Sequence, residues 1–362
     1  MKQLLKIWTT NIELLSDEKK GLFNNRISRV QRHFEFQRTP EILDFLANYK
    51  GTQFRIFLLY VGVFVLKDLL PPDYYQNFCY LVAATRLMAK KVPYDENDEN
   101  RKPYLKFVAN RARTLIKEFI TSGSRLYGRE FVQYNVHNLW HLPDDYEEYG
   151  ALDDFSNFPY ESVLYQVKRY IRSGYKPLKQ VVNNFSDRLA TNLFVTDCCD
   201  LQDCLSEYLE EPELRQELSQ LDEDYKIADV EHWRFKEMRF QTFLLRMYGP
   251  DHYCAIKLDG KTLYMQIMRI SQHTSTEEIH LVGKCFTHLK PVFVTKFGSS
   301  NDLGMTYVLN ASAMMGNRSC KSPLSLLKGK CFVFPIEGDN LCLLYTSPSP
   351  RDRTRSRMPS SA

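Results

Sequence analysis

No CxxC pair occurs among the nine cysteines, which stand at irregular positions. Cys198, Cys199 and Cys204 therefore lack the spacing of a zinc set, and free thiols in a reducing interior compartment are the simpler reading. The most apolar run, Ile56–Leu66, is shorter than the roughly 20 residues a bilayer-spanning helix needs. It reads as a buried helix, and no membrane partner is expected. Met1 opens an amphipathic pattern (Leu4, Leu5, Trp8) rather than a charged segment before an apolar run, so no secretory signal is expected. The sequons at Asn184, Asn310 and Asn317 then carry little meaning. Catalytic signatures are missing as well: there is no P-loop, GxGxxG, GxSxG, HExxH or EF-hand loop, and no internal repeat. A small-molecule substrate is not expected.

What the chain does have is enough apolar surface for two domains, at 44% hydrophobic and 13% aromatic residues over 362 positions. The pattern is α+β. Residues 1–195 read mainly as helices. Ser16 caps a segment carrying Leu22, Ile27 and Val30, and Thr52 caps an apolar helix from Phe54 to Leu69 that stops at Pro71-Pro72. Further helices run from Asp73 to about Lys91 and from about Asn100 to Ile120, the latter with Tyr104, Phe107, Val108, Leu115, Ile116 and Phe119 inward. Residues 196–228 form an acidic linker or solvated helix, with ten carboxylates against Arg215 between Cys198 and Asp224. From 229 to 341 the period changes. Seven β-prone runs (Phe243–Met247, Tyr253–Lys257, Thr262–Ile267, Ile279–Val282, Val292–Thr295, Thr306–Leu309 and Cys331–Pro335) suggest a small β-barrel-like domain.

Residues 342–362, CLLYTSPSPRDRTRSRMPSSA, read as a basic disordered tail. Back-translation of CLLYTSPSPRD and SRMPSSA is similar to the two ends of a common sequencing-library adapter, so the tail is expected to be artefactual. It carries Arg351, Arg353, Arg355 and Arg357 against Asp352, and without it the formal charge falls from +4 to +1. The basic balance that would hint at nucleic acid is then mostly lost.

The densest chemistry lies between Tyr134 and Val182. If Pro159 starts a helix, Glu161 falls in its first turn, where the macrodipole favours a carboxylate. On a helical wheel Lys168 and Arg172 lie within about 20° of Glu161, with Arg169 beside them, while Val163, Leu164, Val167, Tyr170 and Ile171 form an opposing face expected to be core. An acid followed by cations suits a metal beside a phosphate backbone, and it equally suits a solvated surface helix. His137 and His141 have the i, i+4 spacing of two zinc ligands. No third ligand is evident, and a structural role in a polar core beside Trp140 is the favoured reading. Asp144-Asp145 and Asp153-Asp154 suit caps and solvated loops better than a divalent ion. In the β-rich part Lys257, Lys261, Tyr264 and Arg269 could touch nucleic acid, or form the solvent face of a sheet.

The block HNLWHLPDDYEEYGALDDFSNFPYESVLYQVKRYIR resembles the C-terminal part of the catalytic region of CACTA-type (En/Spm-like) transposases and the related animal transposase-domain proteins. That family's HxLxHL stretch corresponds to His137–Leu142, its GPLxxFSxFPFE-like run to Gly150–Glu161, and its basic helix to Ser162–Ser173. TQFRIFLLYVGVFVLKDLL, LPPDYYQNF and YGREFVQYNVH add to the likeness, which extends over about residues 1–185. The resemblance implies a DDE, RNase H-like nucleotidyl transferase, with residues 1–195 supplying a helical insertion and the last helices of that domain. It makes Glu161 the terminal carboxylate of the triad and a ligand of Mg²⁺ or Mn²⁺. The family's two aspartates precede a GVMKxLL-like helix whose middle Met1–Leu5 resembles. With one carboxylate of three, this chain is expected to bind no catalytic metal and to be inactive. The implied partner is DNA at transposon ends, in the nucleus; self-association stays open. The other reading is a domesticated, non-catalytic DNA- or protein-binding scaffold.

Overall fold

In the computed structural model the helix-period and strand-period halves of the sequence become two layers of different kind. The residues described are 1–30, 36, 38–157, 164–165, 167–198, 232–235, 237–240, 243–247, 249–258, 261–273, 278–286, 289–303, 305–308, 315–335 and 341–346. The fold class is α+β, as expected. Residues Met1–Phe155 and Val230–Arg355 form one compact unit, and Ser156–Asp229 belong to a second.

Helix α1 (Lys2–Thr10) is amphipathic and buries Leu4, Leu5 and Trp8. The Trp8 indole donates to the Tyr127 hydroxyl at 3.1 Å and meets the Phe78 ring edge-on at 5.5 Å. Helix α2 (Asp17–Ser28) begins at Ser16, whose hydroxyl accepts from the Lys19 amide. Helix α3 (Gly51–Ile56) starts one residue before Thr52. Its N-cap is Lys50, whose amide donates to the side-chain oxygen of Gln53 in the first turn at 2.9 Å, so Thr52 is not the capping residue. The helix passes through a π-helical turn (Phe57–Val61) into α4 (Gly62–Val65). A Cβ at Gly62 would lie 2.7–2.8 Å from the Phe57 and Phe78 rings, so only glycine lets these aromatics close on the turn. The helical run ends at Val65 rather than Leu69, and Asp68 takes a left-handed conformation (φ 63°) before the two prolines.

Helix α5 (Pro72–Ala89) uses Pro72 at its first position, where a missing N–H costs nothing. Its partner α6 (Arg101–Tyr127) buries Leu105, Val108, Ala109, Ala112, Leu115, Ile116, Phe119 and Gly123, the i, i+3, i+4, i+7 stripe of a core-facing helix. Phe107 departs from expectation and is 63% exposed. It lies about 200° from Leu105 and 100° from Val108 on the wheel, outside that stripe. Buried Asn77 ties α5 to α6 by donating to the Phe119 carbonyl and the Ser122 hydroxyl, both at 2.8 Å. Gly128 (φ 89°) ends α6, and α7 (Tyr134–His137), a 3₁₀ turn (Asn138–Trp140) and α8 (Leu142–Tyr149) follow.

The strands are β1 (His232–Phe235), β2 (Glu237–Phe240), β3 (Phe243–Arg246), β4 (Tyr253–Leu258), β5 (Lys261–His273), β6 (Ile279–Phe286), β7 (Leu289–Pro291), β8 (Val294–Thr295), β9 (Gly298–Ser299), β10 (Met305–Val308), β11 (Met315–Pro323), β12 (Leu327–Pro335) and β13 (Leu341–Thr346). Nine of them form one sheet, ordered β11-β6-β5-β4-β12-β13-β10-β7, with β1 also on β5. The pairs within it are antiparallel. Among the described residues β11 and β7 end the path without pairing to each other, so the sheet is open and the expected barrel does not close. The expected tail boundary at 342 also shifts: Cys342–Thr346 pair in full register with β12, and Cys342–Leu344 also with β10. Residues 347–362 lie outside the described residues, as does the acidic stretch from 199 on.

The segment between β7 and β10 docks on the helices. Val292, Phe293, Leu303 and Met305 join the core built by α1 to α6. Ser300, fully buried, shapes the loop by accepting from the Val292 and Phe293 amides and donating to the Met305 carbonyl. Buried Arg86 of α5 donates to the Leu59 carbonyl at 2.6 Å and the Leu303 carbonyl at 2.8 Å, and stacks over Tyr60. Arg111 donates to the Phe297 carbonyl at 2.9 Å, and Lys296 pairs with Glu118 at 2.7 Å. Within the sheet, Lys330 and Asp251 form an ion pair whose side chains are 1% and 2% exposed, with Arg246 3.8 Å from the same carboxylate.

Candidate nucleic-acid interface

In the second unit, residues 164–165 and 167–170 are helical, and α9 (Pro177–Cys198) follows. One glutamine fixes the corner between them. The Gln180 side chain accepts from the Arg172 amide at 2.8 Å and donates to the Ser173 carbonyl and hydroxyl at 3.1 Å. Glu161 itself, with the whole FPYES stretch, lies outside the described residues.

Lys168, Arg169 and Arg172 are all exposed. So are Lys176 and Lys179, which sequence reasoning left out. Lys176 takes a left-handed conformation (φ 46°) and sets its ammonium 5.1 Å from the centre of the Tyr175 ring, which is 72% exposed. From Leu164 to Ser186 the chain carries these five cations and no acid. A reader could have found Lys176 and Lys179 by counting charge past the predicted helix end instead of stopping at Arg172. Of the face expected to be core, Leu164 (67%) and Ile171 are exposed, while Val167 and Tyr170 are half-buried. An apolar stripe fixes which residues share a face, but not whether anything covers it.

The other candidates fall elsewhere. His137 and His141 are exposed, with their rings edge-to-face at 5.5 Å, not satisfied in a polar core. The inward positions there belong to Val136, Pro143 and Tyr146, and the two histidines share the opposite, outer face. The acidic pairs are held by arginines: Asp144 by Arg113 at 2.6 Å, and Asp153 by Arg55 through two bonds of 2.7–2.8 Å. Asp153 and Arg55 border a cleft with Leu59, Tyr60, Arg86, Ala89 and Lys90. Among the described residues no three His, Cys, Asp or Glu side chains gather as a metal site.

On the sheet, Lys257 and Lys261 are exposed, but Tyr264 (4%) and Arg269 (8%) are buried. Tyr264 packs with Ala255, Phe286 and Cys331 on the sheet's second covered face. Arg269 sits at a bulge in the β5–β6 register, which turns it inward beside Ile270. The sheet therefore offers less of a nucleic-acid surface than the sequence suggested.

A family described as a domain of unknown function (DUF8592) matches residues 221–346. The match takes in every strand from β1 to the last residue of β13. No curated protein and no solved structure matches the chain.

Proposed function

We propose that the chain is the C-terminal part of a CACTA-like transposase region that binds DNA through the Lys168–Lys179 face and does not cut it unaided. The observation that carries this reading is the run of five exposed cations without an acid, directly behind the FPYE motif. Such a run gives the sequence-independent phosphate contacts on which DNA affinity rests, and Tyr165 and Tyr175 supply exposed rings beside it. Glu161 then serves as the family's terminal carboxylate, whose two aspartate partners match no residue of this chain. A non-catalytic scaffold would use the same face. Nuclear residence follows from a DNA partner, and no helix among the described residues is long and apolar enough to cross a membrane.

The test is duplex-DNA binding by fluorescence anisotropy at several salt concentrations, for the chain and for Lys168→Ala/Arg169→Ala/Arg172→Ala. The triple variant should bind all sequences more weakly, with a log K against log salt slope shallower by about 2–3, at roughly 0.9 per phosphate contact. Unchanged affinity and slope would refute the interface. Metal-dependent cleavage abolished by Glu161→Ala would refute the non-cutting part.

A further inference from the structure

Free thiols are described at Cys79 in α5, Cys254 in β4, Cys285 in β6, Cys320 in β11 and Cys331 in β12. Cys79, Cys254 and Cys331 are buried, whereas Cys285 and Cys320 are half-buried near the β11 end of the sheet. The register decides which thiols can meet. Cys254 and Cys285 both pair with Met265 of the intervening β5. Two strand spacings of about 4.8 Å separate them, beyond the roughly 7 Å limit between Cα atoms for a disulfide. Cys331 follows Lys330, the partner of Cys254, so its side chain falls on the opposite face.

Cys320 is different. It lies on the strand adjacent to Cys285, directly opposite Gly283. Cys285 is the diagonal neighbour two residues along on the same face, about 7–8 Å away between Cα atoms, at the edge of disulfide reach, so closure needs a small shift of β11. A Cβ at Gly283 would collide with the Gln266 carbonyl of β5, so the position stays bare. No side chain stands across from Cys320 to keep its sulfur from leaning toward Cys285. The two thiols adjoin, and burial together with the Cys320 neighbour pushes the Cys285 thiol up to about 12. A bulge in β11 between Met315 and Ser319 gives this stretch of edge strand room to adjust.

We propose that Cys285 and Cys320 are a redox-responsive pair that closes into a cross-strand disulfide, stapling edge strand β11 to β6, when the chain meets a low-molecular-weight disulfide such as oxidised glutathione. The Cys320 thiolate attacks one glutathione sulfur and releases one reduced glutathione. The Cys285 thiolate then attacks the Cys320 sulfur of the mixed disulfide and releases the second. Two cysteine thiols lose two electrons and two protons, and one oxidised glutathione becomes two reduced molecules. Cys320, on the strand that ends the sheet, meets glutathione first, and Cys285 on the inner strand takes the second step.

The experiment treats the full chain with oxidised glutathione, blocks remaining thiols, and maps crosslinked peptides by mass spectrometry alongside hydrogen exchange. One link between the Cys285 and Cys320 peptides, with slowed exchange over β11, is expected. Cys285→Ser should accumulate glutathione on Cys320 and show no link. Glutathione persisting on both thiols of the unaltered chain, a link from either thiol to Cys254, or both thiols staying unmodified would each overturn the proposal. Circular dichroism of the serine variant confirms that the fold is kept, and the mapping of the unaltered chain stands independently of it.

Discussion

Replacing Arg86 by methionine tests how the helical layer holds the sheet. The guanidinium makes two charge-assisted bonds, to the Leu59 and Leu303 carbonyls, and is itself only 6% exposed. Each such bond is worth about 1.5–3 kcal/mol, and each carbonyl left buried without a donor costs about 1–3 kcal/mol. Methionine keeps most of the apolar stem and removes a buried charge, which offsets part of the loss. The net expectation is destabilisation by about 2–5 kcal/mol. For a urea slope near 3 kcal/mol per molar, the unfolding midpoint falls by roughly 1 M or somewhat more. Urea titration followed by circular dichroism reads the midpoint, and hydrogen exchange reads where the loss falls. Amides of Phe293 and Met305 should lose protection before those of β5 and β6. A shift under about 0.5 kcal/mol, the range of an ordinary surface change, would refute the clamp, as would uniform loss across the sheet.

Two further perturbations address the sheet itself. Lys330→Met leaves the buried Asp251 carboxylate with only its outer neighbours and should cost about 3–5 kcal/mol, whereas Lys330→Met combined with Asp251→Leu should recover most of it in thermal unfolding; equal losses in both would show that the pair is not the cause. Ending the chain after Asn340 removes β13, which stands between β12 and β10. Of the Tyr307 and Val308 amides, which point to opposite sides of β10, the one facing β13 should then lose protection while the one facing β7 and the amides of β4 to β6 keep theirs; unchanged protection at both would show that β13 is dispensable.

The legibility of the chain follows how local each signal is. The α6 stripe, the Ser16 cap and six of the seven β-prone runs could be read because neighbours within four residues set them, whereas Val292–Thr295 is a strand only at Val294–Thr295. Thr52 misled because Gln53 could cap the same turn from inside it. β11, MGNRSCKSP, offered almost no β-branched or aromatic residue, so its strand state comes from pairing with β6 rather than from propensity. β13 (Leu341–Thr346) was missed because five of its six residues fall in the stretch expected to be a disordered tail, and only pairing with β12 and β10 makes it a strand. Of the candidate interface, the acid-free run of cations from Lys168 to Lys179 was legible in the sequence, while the exposure of each came only with the structure.

By itself the sequence determined an α+β chain, the order of its helices and most strands, and a cation run behind the FPYE stretch. These depend on periods of 3.6 and 2 and on charge along the chain. Only the tertiary structure decided that the sheet stays open, that Tyr264 and Arg269 turn inward, that His137 and His141 face outward, and that Cys285 meets Cys320. Each of these depends on partners far apart in sequence, as when Arg86 reaches a carbonyl 217 positions away. A local pattern says which residues share a face. What covers that face is settled only when distant strands and helices pack.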